Sequence, residues 1–295
     1  MIVFRVLKRT LLEFIEDDGP GIAAELAYRF LLALIPFFIF LVAVSAFLTA
    51  LFDIPNAADR LLDLVGRTVP EAVAGVLLEE LRAILNTREP ALVSFGVVGT
   101  ILAATGGMNA LIKAMNRAYE VTESRPFWRR YLLSLGLTIF FSGGLIVAFL
   151  MLMAGRFFGV QLAAIVGLRG AFEAAFGFAA LPIVLLLVLA AVTVIYWIGP
   201  NVRQPLRWSL PGSVLFAVGW LAVTYGFSLY VESLGTYADT YGALGGVVVL
   251  LIWFYLSAAV LILGAELNAA IAEEREPNAV EAERRRTRSE AAHAA

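Results

Sequence analysis

Glu25, Arg29, Asn109, Lys113, Asn201, Glu266 and Asn268 are polar side chains at the edges of long apolar stretches. Charged and amide groups are costly where water is scarce, so each is a candidate contact for the polar head group of a substrate. Glu25 and Arg29 are four residues apart, as are Asn109 and Lys113, and that spacing puts each pair on one helical face. The competing account is structural: Arg29 and Lys113 reach the interface along their aliphatic stems, and Glu266 pairs locally. Composition removes most catalytic chemistry. The chain has no Cys and one His, His293 near its end, so thiolate or histidine-rich metal sites, cysteine nucleophiles and catalytic triads are excluded. No catalytic residue, cofactor or metal is read from the sequence.

Helices crossing lipid must position these groups. Of the 295 residues, 61% are apolar and 16% charged, and mean hydropathy is +0.86. A soluble domain averages roughly 45 to 50% apolar and about 25% charged, so this excess must face lipid. A helix needs on the order of 20 residues to cross about 30 Å of hydrocarbon. Six stretches qualify, 27–52, 91–112, 132–154, 178–198, 210–231 and 243–270, and predict an all-α, six-span membrane protein. Gly199 through Pro205 form a turn cluster that separates the fourth span from the fifth.

Residues 2–16 place Val3, Phe4, Leu7, Leu11, Phe14 and Ile15 on one face, opposite Arg5, Lys8, Arg9, Glu13 and Glu16. That pattern predicts an amphipathic helix in the membrane interface, within a cytoplasmic segment 1–26. The 53–90 segment is polar yet periodic and predicts two amphipathic helices outside the bilayer, with Thr68 and Glu71 at capping-box spacing around Pro70. With the N-terminus inside, segments 1–26, 113–131, 199–209 and 271–295 hold 15 Lys and Arg, against 6 in 53–90, 155–177 and 232–242. Both termini are therefore expected in the cytoplasm of a bacterial inner membrane. The 271–295 tail reads as a solvated polar tail, disordered or a frayed helix.

Pro36 falls mid-span and frees the carbonyl of Leu32, which predicts a kink and a candidate hinge. Gly212, Gly219 and Gly226 recur every seven residues and predict a seam where another helix packs closely. Arg125 through Tyr131, in RPFWRRY, join cations to aromatic rings at the inner interface. That composition suits a membrane anchor, with contact to anionic lipids as its functional version.

The blocks AELAYRFLLALIPFFIF at 24–40, GGMNALIKAMNRAYEV at 106–121, RPFWRRYLLSLGLT at 125–138, YWIGPNV at 196–202, PGSVLFAVGW at 211–220 and YGALGGVVVLLIWFYLSAAVLILGAELNA at 241–269 resemble the YihY/virulence factor BrkB family of bacterial inner-membrane proteins. The likeness covers about residues 20–270. It implies a six-span bundle with cytoplasmic ends, in a family once labelled ribonuclease BN whose proposed roles include export or flipping of envelope lipids. It implies no catalytic residues. Arg29 departs from the pattern, which has an aromatic or small residue there.

A transporter or lipid flippase for an amphipathic, envelope-related substrate is the expected function. The alternative is a scaffold that recruits envelope partners without transport. Membrane lipids, anionic ones included, are the expected partners, with a second copy or an envelope protein left open and nucleic acid excluded. Phosphodiester cleavage needs carboxylates gathered in one place, and here the acids read as scattered over opposite membrane faces.

Overall fold

The computed structural model describes residues 2–34, 90–165, 167–233 and 237–294. Among them, every regular element is helical. In chain order these are α1 (Ile2–Glu16), α2 (19–34), α3 (Pro90–Ala118), α4 (Phe127–Ile165), α5 (Arg169–Ile198), a 3-10 turn (Leu206–Trp208), α6 (Leu210–Ser233), α7 (Tyr237–Arg275) and α8 (Pro277–Ala294). Pro36, the remainder of the first apolar stretch and the amphipathic segment up to residue 89 lie outside the described residues.

Among the described residues, four helical stretches are long and apolar enough to cross a membrane: Val98–Ala118, Arg169–Ile198, Leu206–Val231 and Gly245–Arg275. Their apolar side chains do not converge on a protein core. Phe178 is 85% exposed and Leu186 65%, and fully burying such a side chain is worth roughly 1.5–3 kcal/mol, so water is the wrong neighbour for them. A hydrocarbon environment removes the penalty.

Contacts divide the chain into two units. The first comprises Met1–Asp17, Ile112–Gly219 and Leu261–Ala295, and the second Asp18–Leu111 and Trp220–Val260. In the first, α4 and α5 pack as a hairpin around a turn in which Gly167 takes φ 73°, a left-handed conformation that glycine adopts without strain. Gly159 lets α5 approach α4, since a Cβ there would strike the ring of Phe172. Both helices outrun the expected spans: α4 has 39 residues, roughly 58 Å at 1.5 Å per residue, and the connecting segment expected at 155–177 shrinks to a tight turn. In the second unit, the Phe30 and Phe254 rings meet edge-on at 5.9 Å, and Trp253 Nε1 donates to Thr224 Oγ1 at 3.3 Å.

Of the two readings of the tail, disorder or a frayed helix, the structure has a helix, and one docked on the rest of the first unit. Pro277 sits at the first position of α8, where its missing N–H is no loss, and eighteen residues follow as helix. The arginines and glutamates that made the tail look solvated find partners across the first unit. Arg284 reaches Glu273 at 3.0 Å and Glu120 at 3.3 Å, the Arg286 guanidinium donates to the Asn201 carbonyl at 3.3 Å, and fully buried Thr287 accepts the Thr122 N–H at 3.3 Å.

Candidate functional site

One end of the first unit is a polar assembly. Helix α5 stops at Ile198 because Gly199 and Pro200 follow it, and the chain then returns through 201–205. Asn201 fixes that return. Its N–H donates to Asn116 Oδ1 at 2.7 Å, and its Nδ2 donates to the Thr122 carbonyl at 3.0 Å and to Ser124 Oγ at 2.9 Å. Asn116 in turn donates to Glu123 Oε2 at 2.8 Å, and Arg125 ties Glu123 Oε1 to the Gly199 carbonyl. Asn201 therefore holds two loops together, with its amide hydrogens already in use. Truncation to alanine is expected to cost roughly 1–3 kcal/mol, because it leaves the Thr122 carbonyl and Ser124 hydroxyl without a donor. Earlier thermal unfolding in detergent is the measurement, and an unchanged transition would show that the loops stand without it.

Asn268 has a comparable part. Its Oδ1 accepts the Gly212 N–H at 2.7 Å and its Nδ2 donates to the Ser209 carbonyl at 3.2 Å, so a side chain from α7 caps the first turn of α6. Gly212 also makes the closest backbone approach: a Cβ there would land on the Gly264 carbonyl, and a Cβ at Gly264 would lie 2.7 Å from the Gly212 carbonyl. At Gly226 a Cβ would meet nothing within 4 Å. Gln204 Nε2 completes the knot, donating to the Tyr196 carbonyl at 2.9 Å and to the Tyr119 hydroxyl at 3.2 Å.

Beside it lies a network of opposite charges. Arg9 meets Glu13 and Glu273 at 2.6 Å each, Arg5 meets Glu274 at 3.1 Å, and Arg117 lies 3.7 Å from Asp17. Burial pushes the Glu13 carboxyl above its ordinary range while Arg9 pulls it back, and burial raises Asp17 against the pull of Arg117. Helix α1 thus buries Val6 and Thr10, draws the half-buried Arg9 and Glu13 into ion pairs beside them, and leaves Leu7, Leu11 and Ile15 exposed.

Carboxylate oxygens of Glu13, Glu120 and Glu273 come within 4.8 Å of one another, a spacing that could hold a cation. Arg9 and Arg284 lie directly on these oxygens and supply two positive charges to three negative ones. This corrects the reading of scattered acids. Sequence reasoning missed the group because its members come from three distant segments. Glu120 also takes φ 50° at the C-terminal cap of α3, where glycine fits better, and its side chain meets Arg284.

Glu266 stands apart from these satisfied groups. It is 1% exposed, and its Oε2 has no hydrogen-bond partner among the described residues. It precedes Glu273 by seven residues, two helical turns along the same face of α7.

In the second unit, Arg29 and Glu25 pair with each other at 2.7 Å on an exposed face of α2. Asn109 Oδ1, Thr105 Oγ1 one turn earlier on α3, and Ser257 Oγ on α7 are buried without partners among the described residues. Thr105 and Ser257 were not among the expected site residues, since short hydroxyls in an apolar run carry no charge signal. Lys113, in the first unit, is exposed. The structure thus gives Asn201 and Asn268 each its own set of hydrogen bonds within the first unit and joins Glu25 to Arg29.

The family described as "Virulence factor BrkB" matches residues 10–290. A "Putative ribonuclease-like protein YfkH" of Bacillus subtilis is 37% identical over 90% of this chain and 94% of its own length. A "UPF0761 membrane protein" of Alkalilimnicola ehrlichii is 31% identical over 85% of this chain, and one of Chromohalobacter salexigens is 29% identical over 93%. The matched region spans 54% and 65% of those two relatives' lengths. No solved structure matches the chain.

Proposed function

Since this chain belongs to the BrkB virulence-factor family of membrane proteins, we propose that it is a six-span transporter or flippase for an amphipathic substrate in a bacterial inner membrane, with both termini in the cytoplasm. The observation that carries the reading is the buried carboxyl of Glu266, whose Oε2 has no partner among the described residues although it lies within a candidate membrane span; in the second unit, taken by itself, Asn109, Thr105 and Ser257 carry buried oxygens of the same kind. Each such oxygen costs about 1–3 kcal/mol, a cost that a passing head group with donors would relieve. The apolar face of α1 supports a location at the bilayer surface, since Leu7, Leu11 and Ile15 point away from the protein. No nucleotide-binding loop of the P-loop pattern occurs in the sequence, so a gradient, a coupled protein or downhill exchange supplies the energy.

Purified chain reconstituted in vesicles with a head-group-labelled phospholipid tests the reading. A membrane-impermeant quencher should reach both leaflets in the presence of protein and the outer leaflet alone without it. Accessibility at the protein-free level across anionic and zwitterionic lipids would reject flipping and favour the scaffold.

A further inference from the structure

Within the first unit, the loop before α4, the return through 200–203 and the face of α8 line an open cleft of about 420 Å³. Its charged lining is Arg125, Arg129, Arg203, Arg286 and Glu290. Two of the arginines are fixed from behind. Arg125 is held by Glu123 at 2.9 Å and by the Gly199 carbonyl, and Arg286 by Glu283 at 2.8 Å and by Glu290 at 2.9 Å. Glu290 is also committed, accepting from Ser124 Oγ at 2.8 Å. Arg129 and Arg203 are exposed and form no ion pair among the described residues. Four arginines against Glu123, Glu283 and Glu290 leave the cleft one positive charge in excess, and Arg129 and Arg203 are the two guanidiniums without a carboxylate partner among the described residues.

We propose that this cleft binds a phosphate group, and that its source is the head group of an anionic phospholipid. Guanidinium forks match phosphate oxygens in pairs, and four of them around one cavity can meet a phosphate from several sides. The volume falls in the range of small-ligand sites and exceeds what one bare ion fills. The favoured source follows from the rim. Phe127 is 72% exposed and Trp128 56%, on the first turn of α4, and Arg129 stands 5.0 Å from the centre of the Trp128 ring. Aromatic rings beside cations, at the start of an apolar helix, place the cleft at head-group depth, with the rings available to acyl chains. The four arginines come from three separate segments, so their convergence goes beyond a basic loop that anchors a span. Binding at equilibrium requires no transport, and the proposal stands apart from the flippase reading.

The test uses the full chain in neutral detergent. Phosphatidylglycerol and phosphatidylcholine are offered in turn and bound lipid is counted by native mass spectrometry, while inorganic phosphate is titrated calorimetrically. Wild-type protein is expected to retain phosphatidylglycerol over phosphatidylcholine. The double variant R129Q/R203Q is expected to bind it roughly thirtyfold more weakly, about a factor of five for each cation lost near a membrane surface. Glu290→Gln, which removes the cleft's own anion, is expected to bind more tightly, a gain that misfolding cannot imitate. Phosphate binding that is lost in the double variant, without phosphatidylglycerol retention, would keep the phosphate site and overturn its lipid source. Equal binding of both lipids by wild type and double variant, or no binding of either probe, would overturn the proposal.

Discussion

Gly264→Val is expected to lower the unfolding temperature of the detergent-solubilised protein by more than any other substitution considered, with a cost of roughly 3 kcal/mol or more. The added side chain begins with a Cβ that lies 2.7 Å from the Gly212 carbonyl and even closer to the Tyr196 hydroxyl. Neither neighbour can yield cheaply. The Gly212 carbonyl belongs to the first turn of α6, which Asn268 holds through the Gly212 N–H and the Ser209 carbonyl. Tyr196 is fully buried and donates its hydroxyl to the Leu261 carbonyl at 2.5 Å. Relief of the clash must separate α6 from α7, turn Tyr196 off its acceptor, or both. In lipid the apolar surface exposed by separation gains nothing from water, so the loss is one of packing and hydrogen bonding. Gly226→Val is the control, because a Cβ there meets nothing within 4 Å. A transition for Gly264→Val equal to that control would show that the two helices do not depend on this crossing.

That contact also marks how far residue patterns reach. Small residues at a seven-residue period single out Gly212 on α6, yet the partner, Gly264, lies on α7 outside any repeat. A pattern shows which face of a helix is small but does not name what meets it. The four membrane-long helices were legible because an apolar run fixes both length and solvent. The order of the tail was not. Its Glu and Arg residues have the composition of a solvated chain, and only the positions of Glu120, Glu273 and Asn201 turn Arg284 and Arg286 into docking groups.

At the site the same distinction holds. Asn201 and Asn268 stood out as polar groups at span ends, but, Ser124 Oγ apart, their side chains bond backbone carbonyls and N–H groups, which carry no residue identity in a sequence. The arginine cleft was half legible. RPFWRRY announces cations beside aromatics, whereas Arg203 and Arg286 join them only through the return after α5 and the docking of α8.

Glu266→Leu is expected to leave the protein folded, or up to about 1–3 kcal/mol more stable, and to reduce substrate movement in vesicles at least tenfold. Both halves follow from one arrangement. The carboxylate is 1% exposed with an oxygen that no described group satisfies, and an apolar side chain of similar size removes that unsatisfied group without opening a cavity. A residue kept for stability would behave in the opposite way, since its removal strips partners of their hydrogen bonds and lowers the unfolding temperature. Retention of a costly group on a membrane-spanning helix makes sense where function uses it, which is the usual trade of stability against activity. Glu266→Gln separates ionisation from shape: it keeps the length and an oxygen acceptor while removing the capacity to carry a negative charge. If the head group is recognised through that charge, the Gln variant should lose movement as fully as the Leu variant. Full movement by the Leu variant, with a lowered unfolding temperature, would return Glu266 to the structural groups around it and take away the observation on which transport rests.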